Sequence, residues 1–327
     1  MHGVRRARQT QEAIAAQKLK EKEKLQEYLS LTNDVLHRKK TNDFTQEALA
    51  LTTRLLTANP EFYSIWNYRR DILTEGIFPQ TSAKDVNDIL LAELSLTMSF
   101  LRSHPKVYWI WNHRRWCLEH VPDDQGQQTI AWKQENWSKE LYAVEKMLDA
   151  DARNFHAWNY RRYVQASMPG KYSDADELKY TTKKIESNFS NFSAWHQRTK
   201  VLSSLWETGT LDMAASKDEE FELVKQALYV DPYDQSSWIY HRWLIGKGED
   251  EGILKREIQV IEELSEVEPD CKWCLESLCH YKRLLLASFT HNEDQRIALV
   301  DACQSLLSRL QSIDPYRRNR YLELGEF

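Results

Sequence analysis

His104-Pro105-Lys106-Val107-Tyr108-Trp109-Ile110-Trp111-Asn112-His113-Arg114-Arg115-Trp116 is the stretch on which the reading of this chain turns. It is the clearest copy of a unit that recurs along the sequence. With Trp111 as its anchor, the equivalent residues are Trp66, Trp158, Trp195 and Trp238. The anchors are 45, 47, 37 and 43 residues apart, the length of a helix pair. Pro60, Pro105 or Pro232 stands six residues before three of them. Arg69, Arg114, Arg161 or Arg198 stands three residues after four of them. In the fifth copy the cation slips one place to Arg242, with His241 at the expected position. Positions i and i+3 share a helix face. Each Trp therefore reads as a buried wedge, with an Arg beside it able to stack or to pair with an acid on a neighbouring helix.

Each anchor helix is preceded by an amphipathic one: 46–56, 86–101, 137–148, 177–185, 220–229 and 255–264. Most end near an Asn-Pro, His-Pro, Asp-Pro or Glu-Pro step, where the chain must turn. The anchor helices end in breakers of their own: Gly76, Pro122, Pro169-Gly170, Gly209, and Gly246 with Gly248. A degenerate sixth copy runs from Glu268-Pro269 to Lys282-Arg283, with Leu275 at the anchor position, and a last helix covers 296–313. Upstream, residues 10–38 read as one charged helix with Ile14, Leu19, Leu25, Leu29, Leu31 and Val35 as a sparse apolar stripe. No strand candidate is long enough to matter. The fold class is all-α, an α-α superhelix: a curved solenoid of helical hairpins. The basic start and charged helix occupy 1–40 and the repeat domain 41–327, clearest at 45–285.

Composition narrows the function. A hydrophobic fraction of 42% is ample for a core, and a net charge of −5 argues against a general nucleic-acid binder. Five Cys without framework spacing suggest reduced thiols and a cytoplasmic location. The Arg- and Lys-rich start has no apolar core, so no signal peptide is expected, and no apolar run approaches the ~18 residues of a transmembrane segment.

Five residues before each anchor the copies read Glu61, Lys106, Arg153, Ser190 and Tyr233. Only two adjacent copies place a cation there. Equivalent positions of neighbouring repeats lie roughly 10 Å apart. Lys106 and Arg153 would then form a two-cation edge, with Tyr108, Asn154 and His156 nearby. Pattern alone leaves two readings, ordinary loop cations or a diphosphate site. Cys271-x-x-Cys274 with Cys279-His280 is weak as a zinc motif and falls on an apolar helix, so it reads as structural. No Ser-His-Asp pattern, Gly-rich phosphate loop or EF-hand loop appears.

The units Trp66-Asn67-Tyr68-Arg69-Arg70, Trp111-Asn112-His113-Arg114-Arg115, Trp158-Asn159-Tyr160-Arg161-Arg162 and Trp195-His196-Gln197-Arg198 resemble the repeats of protein prenyltransferase α subunits. The tetratricopeptide repeat is excluded, since its ~34-residue period and Trp-x-x-Leu-Gly-x-x-Tyr signature are missing. The start Met1-His2-Gly3-Val4-Arg5-Arg6 looks like the Rab geranylgeranyltransferase type within that family. Some members of that type carry extra C-terminal domains, which this chain is expected to lack.

The resemblance implies an obligate heterodimer, in which the α chain wraps a β subunit that holds the catalytic zinc. It also implies geranylgeranyl diphosphate as lipid donor and an escort protein that presents Rab GTPases as substrates. It makes Lys106, in Pro-Lys-x-Tyr-x-x-Trp, the lysine that faces the diphosphate. Arg153-Asn154-Phe155-His156-x-Trp158 becomes the next copy approaching the active site. Phe155 replaces the Tyr of farnesyltransferase-type chains, which removes any hydroxyl role there. His2, beside a Gly and able to ligate metal as neutral imidazole, is expected to reach the β subunit's zinc in the resting enzyme. Two alternatives stand beside this reading. One is the α subunit shared by farnesyltransferase and type I geranylgeranyltransferase. The other is a non-catalytic scaffold, which would need no cation at Lys106.

Overall fold

The computed structural model describes residues 10–123, 127–170, 172–289 and 292–326, and of residues 127–130 the backbone alone. Every regular element among them is helical, and none of these helices is long and apolar enough to cross a membrane. The chain divides into two compact units, 1–171 and 172–327.

The first unit opens with α1 (Gln11–Lys40), followed by three hairpins: α2 (Gln46–Ala58) with α3 (Tyr63–Asp71), α4 (Ala83–Ser103) with α5 (Tyr108–Glu119), and α6 (Gln127–Ala150) with α7 (Phe155–Ser167). The second unit continues the series with α8 (Asp174–Ser187) and α9 (Phe192–Glu207), α10 (Met213–Val230) and α11 (Gln235–Ile245), and α12 (Glu251–Val267) and α13 (Lys272–Ser288). It closes with α14 (Glu293–Ile313) and the short α15 (Arg318–Leu324). The fold is all-α and built of repeated helical hairpins, as the periodicity requires. The first helix of each hairpin runs beyond its apolar stripe because a polar cap starts it early. The side chains of Ser82, Ser173, Asp212 and Asp250 accept from backbone N–H groups in the first turns of α4, α8, α10 and α12.

The anchors are core residues: Trp66, Trp111, Trp158, Trp195 and Trp238 are at most 4% exposed. A buried indole N–H needs an acceptor, and each finds the carbonyl six residues upstream. Trp66 donates to Pro60 O at 2.8 Å, Trp111 to Pro105 O at 3.0 Å and Trp238 to Pro232 O at 2.8 Å. Trp158 and Trp195 donate to Ala152 O and Phe189 O at 2.9 and 2.7 Å. The acceptor is backbone, which is why proline is dispensable in two copies.

Three expectations need correction. Only Val35 of the α1 stripe is fully buried. Ile14, Leu19, Leu25 and Leu29 are 40–59% exposed, so the first half of α1 packs no apolar face. Gly76 does not end its helix. The chain passes through it in a π-helical turn, Ile72–Ile77. A Cβ at Gly76 would lie 2.3 Å from the Phe44 carbonyl oxygen, so the glycine admits the α1–α2 connection. Gly76→Ala is expected to destabilise by about 1–3 kcal/mol in denaturant unfolding, as other overpacked sites do. A cost under ~0.5 kcal/mol would mean that connection moves aside freely. Lastly, the tail folds back: Tyr321 of α15 is buried and donates to Glu276 Oε1 at 2.7 Å, in a core with Leu275, Cys303, Leu307 and Leu310.

Candidate functional site

Lys106 sits in the tight connection between α4 and α5, and Arg153 in the equivalent connection between α6 and α7. One carbonyl ties the two together. Pro105 O accepts the Trp111 indole N–H and also the Asn154 Nδ2–H at 3.2 Å. Asn154 is in turn the N-cap of α7, its Oδ1 accepting from the N–H groups of His156 and Ala157 at 3.0 and 3.3 Å. Thus the Asn154 side-chain oxygen accepts twice and one of its two amide N–H groups is in use. It fixes the start of α7 against the residue preceding Lys106.

That anchoring brings Tyr108 edge-on against His156, ring centroids 4.3 Å apart at 83°, with the Phe155 ring 6.2 Å from Tyr108. Burial lowers the His156 pKa, and the Lys106 ammonium lowers it further. The imidazole is therefore neutral at pH 7 beside a fixed cation. Lys106 itself is exposed and has no salt bridge among the described residues. The result is a rigid corner with an unneutralised ammonium and a platform of Tyr108 and Phe155, both more than half exposed. It offers a cation to an anionic group and aromatic surface to an apolar chain. Arg153 is exposed; its backbone N–H donates to Asp151 Oδ1. None of its described contacts joins it to Tyr108 or His156. His2 lies outside the described residues.

The arginines beside the anchors pair rather than stack, and their partners are residues that the sequence reading did not single out. Arg69 grips Glu93 through two bonds of 2.6 Å while Nη1 donates to Leu49 O, Thr52 and Thr53. Arg114 grips Glu140 at 2.7 and 2.6 Å and donates to Leu94 O and Thr97. Arg198 repeats the pattern on Glu220, Leu178 O, Thr181 and Thr182. These three arginines thus join their own hairpins to the next, while Arg161 meets Glu145 of its own hairpin at 2.7 Å. In the fifth copy the cation has not slipped: His241 takes the arginine's place and meets Glu257 at 3.0 Å. The signal was available, since Glu93, Glu140, Glu177, Glu220 and Glu257 each stand eighteen residues before the next anchor position.

The residue two after the anchor serves the same carboxylate from the other side. His113 Nε2 meets Glu93 at 2.8 Å, Gln197 donates to Glu177 at 3.1 Å and Tyr240 to Glu220 at 2.5 Å. Burial pushes the His113 pKa down to about 4. Burial alone would raise Glu93, but its bonds from His113 and Arg69 prevail and hold it near 2. With Arg70 Nε donating to Nδ1 at 3.3 Å, His113 is the neutral tautomer protonated on Nε2. An unfolded histidine protonates near pH 6.5, so acid favours the unfolded chain. Stability is expected to fall between pH 6.5 and about 4 by on the order of 3 kcal/mol at ~1.4 kcal/mol per pKa unit. His113→Gln, the residue that copy four carries, should flatten that slope in unfolding titrations. An unchanged slope would remove His113 as its source.

All five cysteines are free and buried. Cys271 Sγ–H donates to Pro232 O at 3.1 Å, a packing role. No three His, Cys, Asp or Glu side chains among the described residues form a metal-binding group.

Comparison with known proteins agrees with this repeat geometry. The model of the protein prenyltransferase alpha subunit repeat matches residues 45–76, 90–121, 137–168, 174–205 and 217–248, the first five hairpins. The chain belongs to the protein prenyltransferase α-subunit family. It is 39% identical to the geranylgeranyl transferase type-2 subunit alpha of Schizosaccharomyces pombe, over 100% of this chain and 98% of that one. The subunit of the same name in Dictyostelium discoideum is 36% identical over 99% of both chains. The human one is 36% identical over 78% of this chain and 43% of its own length. A solved structure of Candida albicans protein geranylgeranyltransferase-I complexed with GGPP superposes with a TM-score of 0.69 at 21% identity. It covers 92% of this chain and 90% of that chain, a likeness of fold.

Proposed function

We propose that the chain is the α subunit of a heterodimeric Rab geranylgeranyltransferase. The end-to-end match to type-2 α subunits carries this reading. In it, geranylgeranyl passes from geranylgeranyl diphosphate to C-terminal cysteines of Rab GTPases presented by an escort protein. A zinc ion would be held by the β subunit and would supply a ligand site for the cysteine sulfur. This chain supplies Lys106 to the departing diphosphate, whose negative charge grows as the bond to carbon 1 breaks. Arg153 adds a second, weaker cation, and Tyr108, Asn154 and His156 keep the corner rigid.

A partner-covered face is supported by a row of aromatics three residues before the anchors. Tyr63, Tyr108 and Phe155 in the first unit are all more than half exposed, and exposed apolar groups at matching positions mark an interaction surface. Expressed alone, the chain is expected to be poorly soluble. Co-expression with a type-2 β subunit should yield a stable heterodimer that transfers geranylgeranyl to an escort-bound Rab. A stable monomer with no affinity for any β subunit would overturn the reading.

A further inference from the structure

α4 and α6, the first helices of neighbouring hairpins, are bridged at two levels. Asn136 Nδ2 donates to Asn87 Oδ1 at 2.8 Å, and Asn154 Nδ2 donates to Pro105 O at 3.2 Å just past the helix ends. Asn87 and Pro105 are eighteen residues apart, about 27 Å at the helical rise. Between the bridges the lining side chains are short or flexible: Ser95, Met98 and Ser99 from α4, and Ala143, Met147 and Ala150 from α6. They leave a hollow of about 530 Å³, walled by Met98, Leu101, Ala143, Met147 and Ala150 and closed at one end by Pro105 and Asn154. A second hollow of about 330 Å³ continues it and carries more polar groups, Ser95, Ser99 and Lys139 among them. Met98, Arg102 and Ala143 belong to both, so Arg102 stands where the apolar hollow meets the polar one. Arg102 is exposed and has no hydrogen bond or ion pair among the described residues. The other charged groups of the larger hollow are occupied: Lys146 lies 3.2 Å from Asp149, and Asp151 accepts the Arg153 backbone N–H.

We propose that this groove binds a long hydrocarbon chain ended by a carboxylate, with the chain between Met98 and Met147 and the head on Arg102. The larger hollow falls within the 300–1,000 Å³ range of small-molecule sites, which are mostly apolar with a few placed polar groups. Unbranched methionines shape themselves to a flexible chain. A guanidinium fork matches a carboxylate bidentately. The two bridges bound the length of the groove, which suits a single chain of limited length. The groove lies on first helices, whereas Tyr63, Tyr108 and Phe155 begin second helices. It does not depend on the proposed transferase activity. Its closed end is nevertheless the Asn154–Pro105 bond that carries the Lys106 corner, so an occupant touches the support of that corner.

The test is titration of the full-length chain with cis-parinaric acid, whose fluorescence rises in an apolar site, followed by displacement with oleate or oleyl alcohol. If the chain purifies as a heterodimer, excess geranylgeranyl diphosphate is added first to fill the lipid-donor site. One saturable site is expected, displaced by oleate about tenfold or more better than by oleyl alcohol. Ala150→Phe should block the groove and Arg102→Gln should weaken oleate alone. Both positions are exposed, so the variants are expected to fold. Absence of a saturable signal, or affinity unchanged in Ala150→Phe, would overturn the proposal. Equal affinity for acid and alcohol would overturn the carboxylate head. A benzophenone cross-linker at position 142 that joins the chain to the β subunit would give the groove to protein, and overturn the proposal too.

Discussion

Arg114→Ala is expected to cost about 3–5 kcal/mol in unfolding free energy, because it strands a buried carboxylate. Glu140 is 4% exposed and holds both Arg114 bonds on its two oxygens. Losing the cation also leaves Leu94 O and Thr97 without their donor. The pair itself need not be strongly stabilising, since desolvation opposes the ionic attraction. The double variant Arg114→Met with Glu140→Leu should therefore recover much of the loss. Lys139→Ala, one residue away on α6, removes an exposed pair with Glu135 and should change stability little. Denaturant unfolding of the heterodimer separates these cases. A cost below ~1 kcal/mol for Arg114→Ala would mean that hairpins are joined by apolar packing alone.

Lys106→Ala is expected to lower kcat by about 100-fold with heterodimer assembly intact. A preorganised donor at a developing oxyanion is worth about 2.7–4 kcal/mol, the lower end being 100-fold, and Lys106 supports no described structural bond whose loss would disturb folding. Lys106→Arg should restore part of the rate, since charge survives and geometry changes. Arg153→Ala should act mainly on affinity for the lipid diphosphate. Single-turnover kinetics decide the matter: an unchanged chemical step for Lys106→Ala would take Lys106 out of the reaction.

The repeat was legible because its strongest residue is also its rarest. A tryptophan every 37–47 residues with a cation three places on leaves few architectures open. The arginine's role was half legible. Arg69, Arg114 and Arg198 reach away from their own helices, so their carboxylates lie on the next hairpin. Only a count across the loop, from Glu140 to Trp158 for example, exposes the match. His241 was misread as a displaced neighbour of Arg242 because histidine and arginine look unlike in sequence. In a buried slot both present N–H to a carboxylate. At the site, equivalence between copies was enough to bring Tyr108 and His156 together. It could not show that Asn154 is committed to capping α7 and holding Pro105 O. Gly76 looked like punctuation because a contact with Phe44 thirty-two residues away leaves no local trace.

The fixed interval from each glutamate to its anchor position has a consequence for how such a chain can change length. Eighteen residues separate them in all five cases, whereas nineteen to twenty-nine separate an anchor from the next glutamate. Growth and shrinkage have therefore been accommodated at the joints between hairpins and not inside them. An insertion within a hairpin would rotate the acid off the shared face by about 100° per residue, since a helix has 3.6 residues per turn. It would then unseat partners on both sides at once. The joints are accordingly the places where a tag, a fluorescent domain or a new binding loop can be added, and the hairpins are units to be exchanged whole.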